Sequence, residues 1–279
     1  MKIAVTGAGG GLGRAFLEVT GSEHEVHPFT RAQLDVTSWD AVTEALVPLE
    51  ADLIMHFAAM TAVDACEEDP QRAAETNIGG SFNVAWAARA SGALLVAIST
   101  DYVFDGEKEE PYDELDQPNP ISMYGATKLA GERAAETVAP DLLIVRTAWV
   151  YGAGDDFFSK AVRRLAQDEE VGAIADLASG PTHVAHLAER LMPLVESGMR
   201  GVVHLAGEGP VTWFDVLVRV KDLGSLSGDV VPQKADELQR PAKRPANSAL
   251  ASLRLGETKV PPMPPLDEGI KKVLSDVDD

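Results

Sequence analysis

Tyr124 and Lys128 stand four residues apart in the stretch Ser122-Met123-Tyr124-Gly125-Ala126-Thr127-Lys128. On a helix, positions i and i+4 share one face, so this spacing sets an ammonium beside a phenol. A nearby cation favours phenolate and lowers the phenol pKa from about 10, which lets the tyrosine exchange a proton with a substrate oxygen. Such a pair is common on solvent-facing helices, and its meaning comes from its company. Upstream, the apolar run Ala93 to Ile98 ends in Ser99-Thr100-Asp101-Tyr102, which puts hydroxyls and a carboxylate at the carboxyl end of a strand. In an open α/β sheet that end is where ligands bind.

The elements that must position these groups begin at the N-terminus. Lys2 to Thr6 is a short apolar run that breaks into Gly7-Ala8-Gly9-Gly10-Gly11-Leu12-Gly13 and then a helical stretch. Strand, glycine turn and helix in that order form a dinucleotide-binding fingerprint, here Gly7-x-x-Gly10-x-x-Gly13. Glycine allows positive φ and close approach of a pyrophosphate, which then rests on the helix N-terminus. A second strand, His24 to Thr30, delivers Arg31 to the position where an arginine accommodates a 2′-phosphate, which favours NADPH with NADH as the alternative. Asp35 either touches the adenine or caps a turn. A third strand, Leu53 to Phe57, runs into Ala58-Ala59-Met60-Thr61, small enough to leave room for a ligand. His56 sits inside that strand and is expected to be a satisfied core histidine.

Pro70 to Ala90 reads as one long helix with Ala74, Ile78, Phe82, Ala85 and Trp86 on its buried side, interrupted near Asn77 and Gly79-Gly80. Residues 105 to 121 hold several prolines and acids and are expected to form a surface loop over the site. After the Tyr124 helix, a fifth strand at Leu142 to Arg146 leads to Thr147-Ala148-Trp149. Strands alternating with helices through residue 150 predict a Rossmann-type doubly wound parallel sheet. Residues 151–279, with helices near 157–167, 183–197, 213–221 and 266–274, are expected to form mainly a smaller C-terminal substrate-binding cap, some segments returning to the first domain.

The 279-residue chain carries 24 Lys and Arg against 44 Asp and Glu, a formal charge of −20. Such a field repels polyanions, which argues against nucleic acid or an anionic membrane as partner. Cys66 is the single cysteine, so neither an internal disulfide nor a cysteine-rich zinc site can form. No apolar run approaches membrane-spanning length and nothing resembles a signal peptide, so a cytoplasmic location is expected.

Together, the glycine fingerprint, Thr61-Ala62-Val63-Asp64, Ser99-Thr100-Asp101-Tyr102-Val103-Phe104-Asp105-Gly106, Tyr124-Gly125-Ala126-Thr127-Lys128 and Arg146-Thr147-Ala148-Trp149, followed by Thr212-Trp213-Phe214 and Arg244-Pro245-Ala246-Asn247-Ser248, resemble the extended short-chain dehydrogenase/reductases. More closely, they resemble the dTDP-4-dehydrorhamnose reductase family. The resemblance implies an NAD(P)H-dependent reduction of the C4 ketone of a dTDP-linked 6-deoxy-4-keto sugar, with Thr100, Tyr124 and Lys128 catalytic and Thr100 donating a hydrogen bond to the carbonyl oxygen. It implies cofactor contacts at Gly10, Gly11, Leu12, Asp35, Val36, Ala59, Thr61, Tyr124 and Lys128, and substrate contacts at Val63, Asp101 and Trp149. It also allows a homodimer and names no metal ligand.

The chain departs from the family's Asp-Gln-x-Gly-x-Pro-Thr pattern at Asp176-Leu177-Ala178-Ser179-Gly180-Pro181-Thr182, and lacks a tryptophan near Met263-Pro264-Pro265-Leu266. Two other readings of the same fold are a nucleotide-sugar 4-epimerase with tightly held NAD and a non-catalytic dinucleotide-binding regulatory subunit.

Overall fold

Central strands of a parallel sheet are covered on both faces, so they need continuous apolar runs rather than alternation. In the computed structural model, which describes residues 1–275 apart from Ser22 and Asp155, such runs build one six-stranded parallel sheet. The first half of the chain forms β1 (Lys2–Thr6), α1 (Gly11–Thr20), β2 (Glu25–Phe29), α2 (Trp39–Leu46), β3 (Leu53–His56), α3 (Val63–Glu68), α4 (Pro70–Ala74), α5 (Gly80–Ser91) and β4 (Leu94–Thr100). Next come α6 (Met123–Val138), β5 (Leu142–Thr147), β6 (Val150–Tyr151), α7 (Phe157–Ala166), β7 (Val171–Ile174), β8 (Ala178–Ser179), β9 (Thr182–His183) and α8 (Val184–Glu196). The chain closes with β10 (Gly201–His204), β11 (Val211–Thr212), α9 (Trp213–Gly224), β12 (Val230–Gln233) and α10 (Leu266–Ser275).

The sheet order is β10-β5-β4-β3-β1-β2, and each neighbouring pair is parallel. Pro28, which cannot donate to a ladder, lies in the edge strand β2. The chain leaves β1 toward β2 on one side and returns as β3 on the other, so the topological switch point lies between β1 and β3. A crevice outside the carboxyl ends of those two strands follows from that order.

One face of the sheet is covered by α1 and α8, whose Phe16, Leu187 and Leu191 are fully buried. The opposite face is covered by α2, α5 and α6 through Val42, Leu46, Val84 and Ala135. Thus α8 and β10, both beyond residue 150, return to the sheet, β10 pairing with β5. What remains of the C-terminal part has its own apolar cluster of Phe158, Leu165, Leu217, Val220 and Ile270 from α7, α9 and α10, beside the β7–β12 pair.

Two expectations change. The single helix over 70–90 is instead α4 and α5 flanking a π turn at Glu75–Gly79. Its inner side carries Ala73, Asn77, Ser81, Val84 and Ala88; of the face expected, Ala85 is fully buried, while Phe82 is 40% exposed. At the crossing with α6 the packing is close: a Cβ at Gly131 would lie 2.3 Å from the Asn77 carbonyl oxygen and 3.1 Å from Ser81 Oγ, so the residues facing it there are small or polar. Phe82 and Trp86 turn outward against Trp39, with ring centroids 6.2 and 4.6 Å away.

Residues 105–121 form no helix or strand and, apart from Gly106 and Tyr112, are exposed or partly so, as expected of a surface loop, but the loop is anchored to the body. Tyr112 is 3% exposed and stacks on Phe104 at 4.3 Å, and its backbone exchanges 2.8 Å hydrogen bonds with Ala249 and Ala251. Among the described residues, no helix is long and apolar enough to cross a membrane.

Candidate active site

Two cavities open at the carboxyl ends of the strands. They share Gly7, Gly10, Phe57 and Ala59, so they form one groove across the switch point. The outer cavity, ≈ 710 Å³, is lined by the turns that follow β1, β2 and β3, including Arg31, Asp35, Val36 and Ala58. Gly7 has φ +70°, and a Cβ there would lie 2.5 Å from the Ala58 nitrogen. A Cβ at Gly13 would lie 2.5 Å from the Gly7 oxygen, so both positions require glycine.

Gly10 caps α1 with no side-chain hydrogen bond and no acid occupies the first turn, which leaves a helix N-terminus suited to an anion. Asp35 accepts from the Thr37 backbone at 3.0 Å and from its hydroxyl at 2.8 Å, both through Oδ1. Those bonds hold its carboxyl below the usual range. Asp35 therefore both caps a turn and faces the cavity.

The inner cavity, ≈ 480 Å³, gathers Gly11, Leu12, Gly13, Thr61, Thr100, Asp101, Tyr124 and Trp149. Ser122 caps α6 by accepting from the Gly125 nitrogen, and Gly125 packs so tightly on Tyr102 that a Cβ would meet the Tyr102 oxygen at 2.0 Å. The rings of Tyr102 and Tyr124 meet edge to face at 5.6 Å. Lys128, one turn on, is buried, and its Nζ donates to the Ile98 carbonyl oxygen at 2.7 Å. Burial brings its pKa down to about 8, opposed by the negative charge of Glu132.

The lowered phenol pKa expected from the Tyr124–Lys128 spacing is not what this geometry gives. Burial of the ring pushes the Tyr124 phenol above its ordinary value by favouring the uncharged form.

Thr100 Oγ1 donates to Asp101 Oδ1 at 2.9 Å and accepts from the Tyr102 nitrogen at 3.2 Å. A hydroxyl has one proton, so the expected donation to a carbonyl oxygen competes with this bond. Asp101 is 2% exposed and also accepts at Oδ2 from Ser179 Oγ, 3.0 Å away, and from Ser248 Oγ. Burial raises its carboxyl to about 6, against the pull of these bonds. Trp149 stacks on Trp213 of α9 at 4.7 Å with planes 6° apart.

Val63 begins α3 and lines neither cavity. Its neighbour Asp64 holds Arg244 through two hydrogen bonds of 3.0 and 2.8 Å, tying α3 to the C-terminal segment.

Beneath the site, Glu132 on α6 accepts from Arg146 at 3.0 and 2.7 Å and from Ser99. His56 is buried and bonded to Thr6 at 2.8 Å and Ser81 at 3.4 Å, and its pKa falls to about 3, mainly through burial. It is a core histidine. Among the described residues, no group of three His, Cys, Asp or Glu is arranged to hold a metal ion.

The sequence reading missed Ser179, Ser248, Tyr102 and Val184 in or behind the inner cavity, and Arg72 and Thr76 in the outer one. Tyr102 and Ser248 lie in stretches that carry the family resemblance, and Ser179 marks a departure from the Asp-Gln-x-Gly-x-Pro-Thr pattern, but none of the three is tied by local sequence to a role.

The family model for the RmlD substrate binding domain matches residues 1–278. A dTDP-4-dehydrorhamnose reductase of Mycolicibacterium smegmatis is 36% identical, the match covering 99% of this chain and 86% of that one. The crystal structure of a dTDP-4-dehydrorhamnose reductase of Clostridium acetobutylicum superposes with TM-score 0.95 at 36% identity over all of both chains. The structure of the Bacillus anthracis enzyme of that name, in complex with NADP, superposes with TM-score 0.94 at 33% identity over 99% of each chain.

Proposed function

The chain belongs to the RmlD substrate-binding-domain family, and from that premise we propose that it is an NADPH-dependent oxidoreductase that reduces the C4 ketone of dTDP-4-dehydrorhamnose to give dTDP-L-rhamnose. The supporting observation is the placement of Tyr124 and Thr100 in the same cavity as the glycine turn of the fingerprint, with Lys128 buried behind them.

The residues present fit NADPH. A pyrophosphate has a helix N-terminus without acid and a glycine turn that a Cβ would fill. Gly7, Gly10, Gly11, Leu12 and Gly13 would hold it, and Val36, Ala58 and Ala59 would flank the adenosine half. Arg31 would meet the 2′-phosphate and Asp35, through Oδ2, an adenosine polar group. Thr61, Tyr124 and Lys128 would serve the nicotinamide half.

When bound, NADPH supplies the hydride that goes to C4. Tyr124 gives its phenolic proton to the ketone oxygen as the alcohol forms, so the elevated pKa keeps the proton in place until charge develops on the sugar. Lys128 stabilises the phenolate that remains. Trp149, stacked on Trp213, offers a flat apolar wall for the sugar. A homodimer belongs to the same proposal, and light scattering on the purified chain decides it.

The test is to add the chain to dTDP-4-dehydrorhamnose made in situ and to follow NADPH absorbance. Consumption of NADPH equal to the ketone supplied is expected. Conversion of a nucleotide sugar with no NADPH used, or cofactor bound without turnover, would sink the reading.

A further inference from the structure

Asp101 accepts three hydroxyl hydrogen bonds at the wall of the inner cavity, where it is 2% exposed. Thr100 donates to Oδ1 at 2.9 Å, while Ser179 at 3.0 Å and Ser248 share Oδ2. Ser179 is 0% and Ser248 1% exposed, so neither hydroxyl has water as an alternative partner. Ser179 is also the residue at which this chain departs from the glycine of its family's pattern.

A hydroxyl that must stabilise the Tyr124 phenolate has to let go of Asp101 at that moment. A buried carboxylate tolerates the loss only if other donors remain, since an unsatisfied buried charge is costly. With both serines in place, Asp101 keeps two of its three side-chain hydrogen bonds as Thr100 turns.

We propose that Ser179 is a positioning residue: together with Ser248 it holds Asp101, and thereby releases the Thr100 hydroxyl to turn from Asp101 toward Tyr124 as the phenolic proton leaves. No bond to carbon changes in this step. One O–H of Thr100 exchanges a carboxylate acceptor for a phenolate acceptor. The inference rests on the reductase reading for its consequence, though not for the geometry of Asp101.

The groups facing Asp101 are Thr100 from β4, Tyr102, Tyr124 from α6, Ser179 from β8 and Ser248. No charged side chain is among them. Removing the Ser179 hydroxyl takes away a bond that pulls the Asp101 pKa down, so that pKa rises from about 6.

The experiment is Ser179→Ala, with Ser248→Ala as the parallel change and Ser179→Thr as the variant that restores a hydroxyl. For Ser179→Ala, kcat is expected to fall about tenfold with the KM for NADPH unchanged, and the acid limb of kcat/KM to move to higher pH. Ser248→Ala is expected to act in the same direction, and Ser179→Thr to recover most of the loss. A purely structural role would lower stability without moving the acid limb.

A carbon-13 NMR titration of the Asp101 carboxyl in the unliganded protein is the second readout, with a higher midpoint expected in Ser179→Ala. An unchanged midpoint overturns the inference whatever the turnover. So do wild-type kcat and an unmoved acid limb in an active enzyme. Absence of turnover in the wild-type chain would instead count against the reductase reading, and the NMR midpoint would still decide the role of Ser179.

Discussion

The two ends of the groove are made in different ways. The outer cavity is built from three short turns, each directly after its strand: Gly7–Gly10 after β1, Thr30–Thr37 after β2 and Phe57–Met60 after β3. Its polar side chains, such as Arg31 and Asp35, are exposed, and its shape is set by backbone and glycine. The inner cavity draws on distant segments. Ser179 and Ser248 reach Asp101 across 78 and 147 positions, and Arg146 of β5 grips Glu132 of α6 out of solvent. One end is a surface that receives a ligand, and the other is a connected polar network. Damage at the first should change affinity, and damage at the second should change chemistry.

Tyr124→Phe tests that division most severely. It removes the proton donor and little volume, so kcat is expected to fall about 10²- to 10⁴-fold. The dissociation constant for NADPH, measured by fluorescence titration, should stay within a factor of a few, because Tyr124 lines only the inner cavity of the two. A comparable loss of NADPH affinity would mean that the two ends do not work separately.

Gly13→Ala is the converse, because although Gly13 lines the inner cavity its Cβ would strike the Gly7 turn that also walls the outer one. The new Cβ would lie 2.5 Å from the Gly7 oxygen and 2.7 Å from Ala8 Cα, so the fingerprint turn must shift. Overpacking of this kind costs about 1–3 kcal/mol. If the cost falls on binding, the NADPH dissociation constant rises about 5- to 150-fold. At saturating NADPH, kcat should be nearly normal. A large fall in kcat with affinity intact would reverse the assignment of roles.

The same contrast explains what was legible in the sequence. The doubly wound sheet and the outer cavity were readable because their signals are local: an apolar run, a glycine turn and a cation just past the second strand. The Tyr124–Lys128 pair was readable for the same reason, being one helical turn. What its spacing did not carry was the surroundings. Ile98 takes the ammonium and burial sets the phenol, and both depend on how β4 packs under α6. Along α4 and α5 apolar spacing finds Ala85 but not Asn77 or Ser81, because the close approach of Gly131 to the Asn77 backbone favours small and polar residues there over Phe82. Nothing local tied Ser179 or Ser248 to Asp101, since only the tertiary fold brings β8 and the segment after Arg244 onto it.

Titration sharpens the comparison further. The pKa of Lys128 stands at about 8 instead of 10.5, so its ammonium is complete below that pH and is lost above it. If the ammonium is needed, kcat/KM should fall about tenfold per pH unit above pH 8. The same displacement has a thermodynamic sign. Between pH 8 and 10.5 the unfolded chain holds a proton that the folded chain has released, so this group's contribution to stability rises with pH over that window. In Lys128→Met both dependences should flatten together. A basic limb that survives in the variant would belong to another group.

The smallest effect expected belongs to Arg31, and it bears on cofactor choice alone. Arg31 is exposed, lines the outer cavity next to Thr30, and forms no ion pair among the described residues. A contact between an exposed guanidinium and a phosphate is screened by water and salt, so Arg31→Ala should raise the NADPH dissociation constant only about fivefold. NADH lacks the 2′-phosphate and should bind as before, so the NADPH-to-NADH preference shrinks by that same factor. The effect should fade as salt is raised, since the Debye length drops from about 10 Å at 0.1 M to about 3 Å at 1 M. Equal losses for both cofactors would place Arg31 in the shape of the turn and not in recognition of the phosphate. No loss for either would leave the coenzyme preference to the backbone that follows β2.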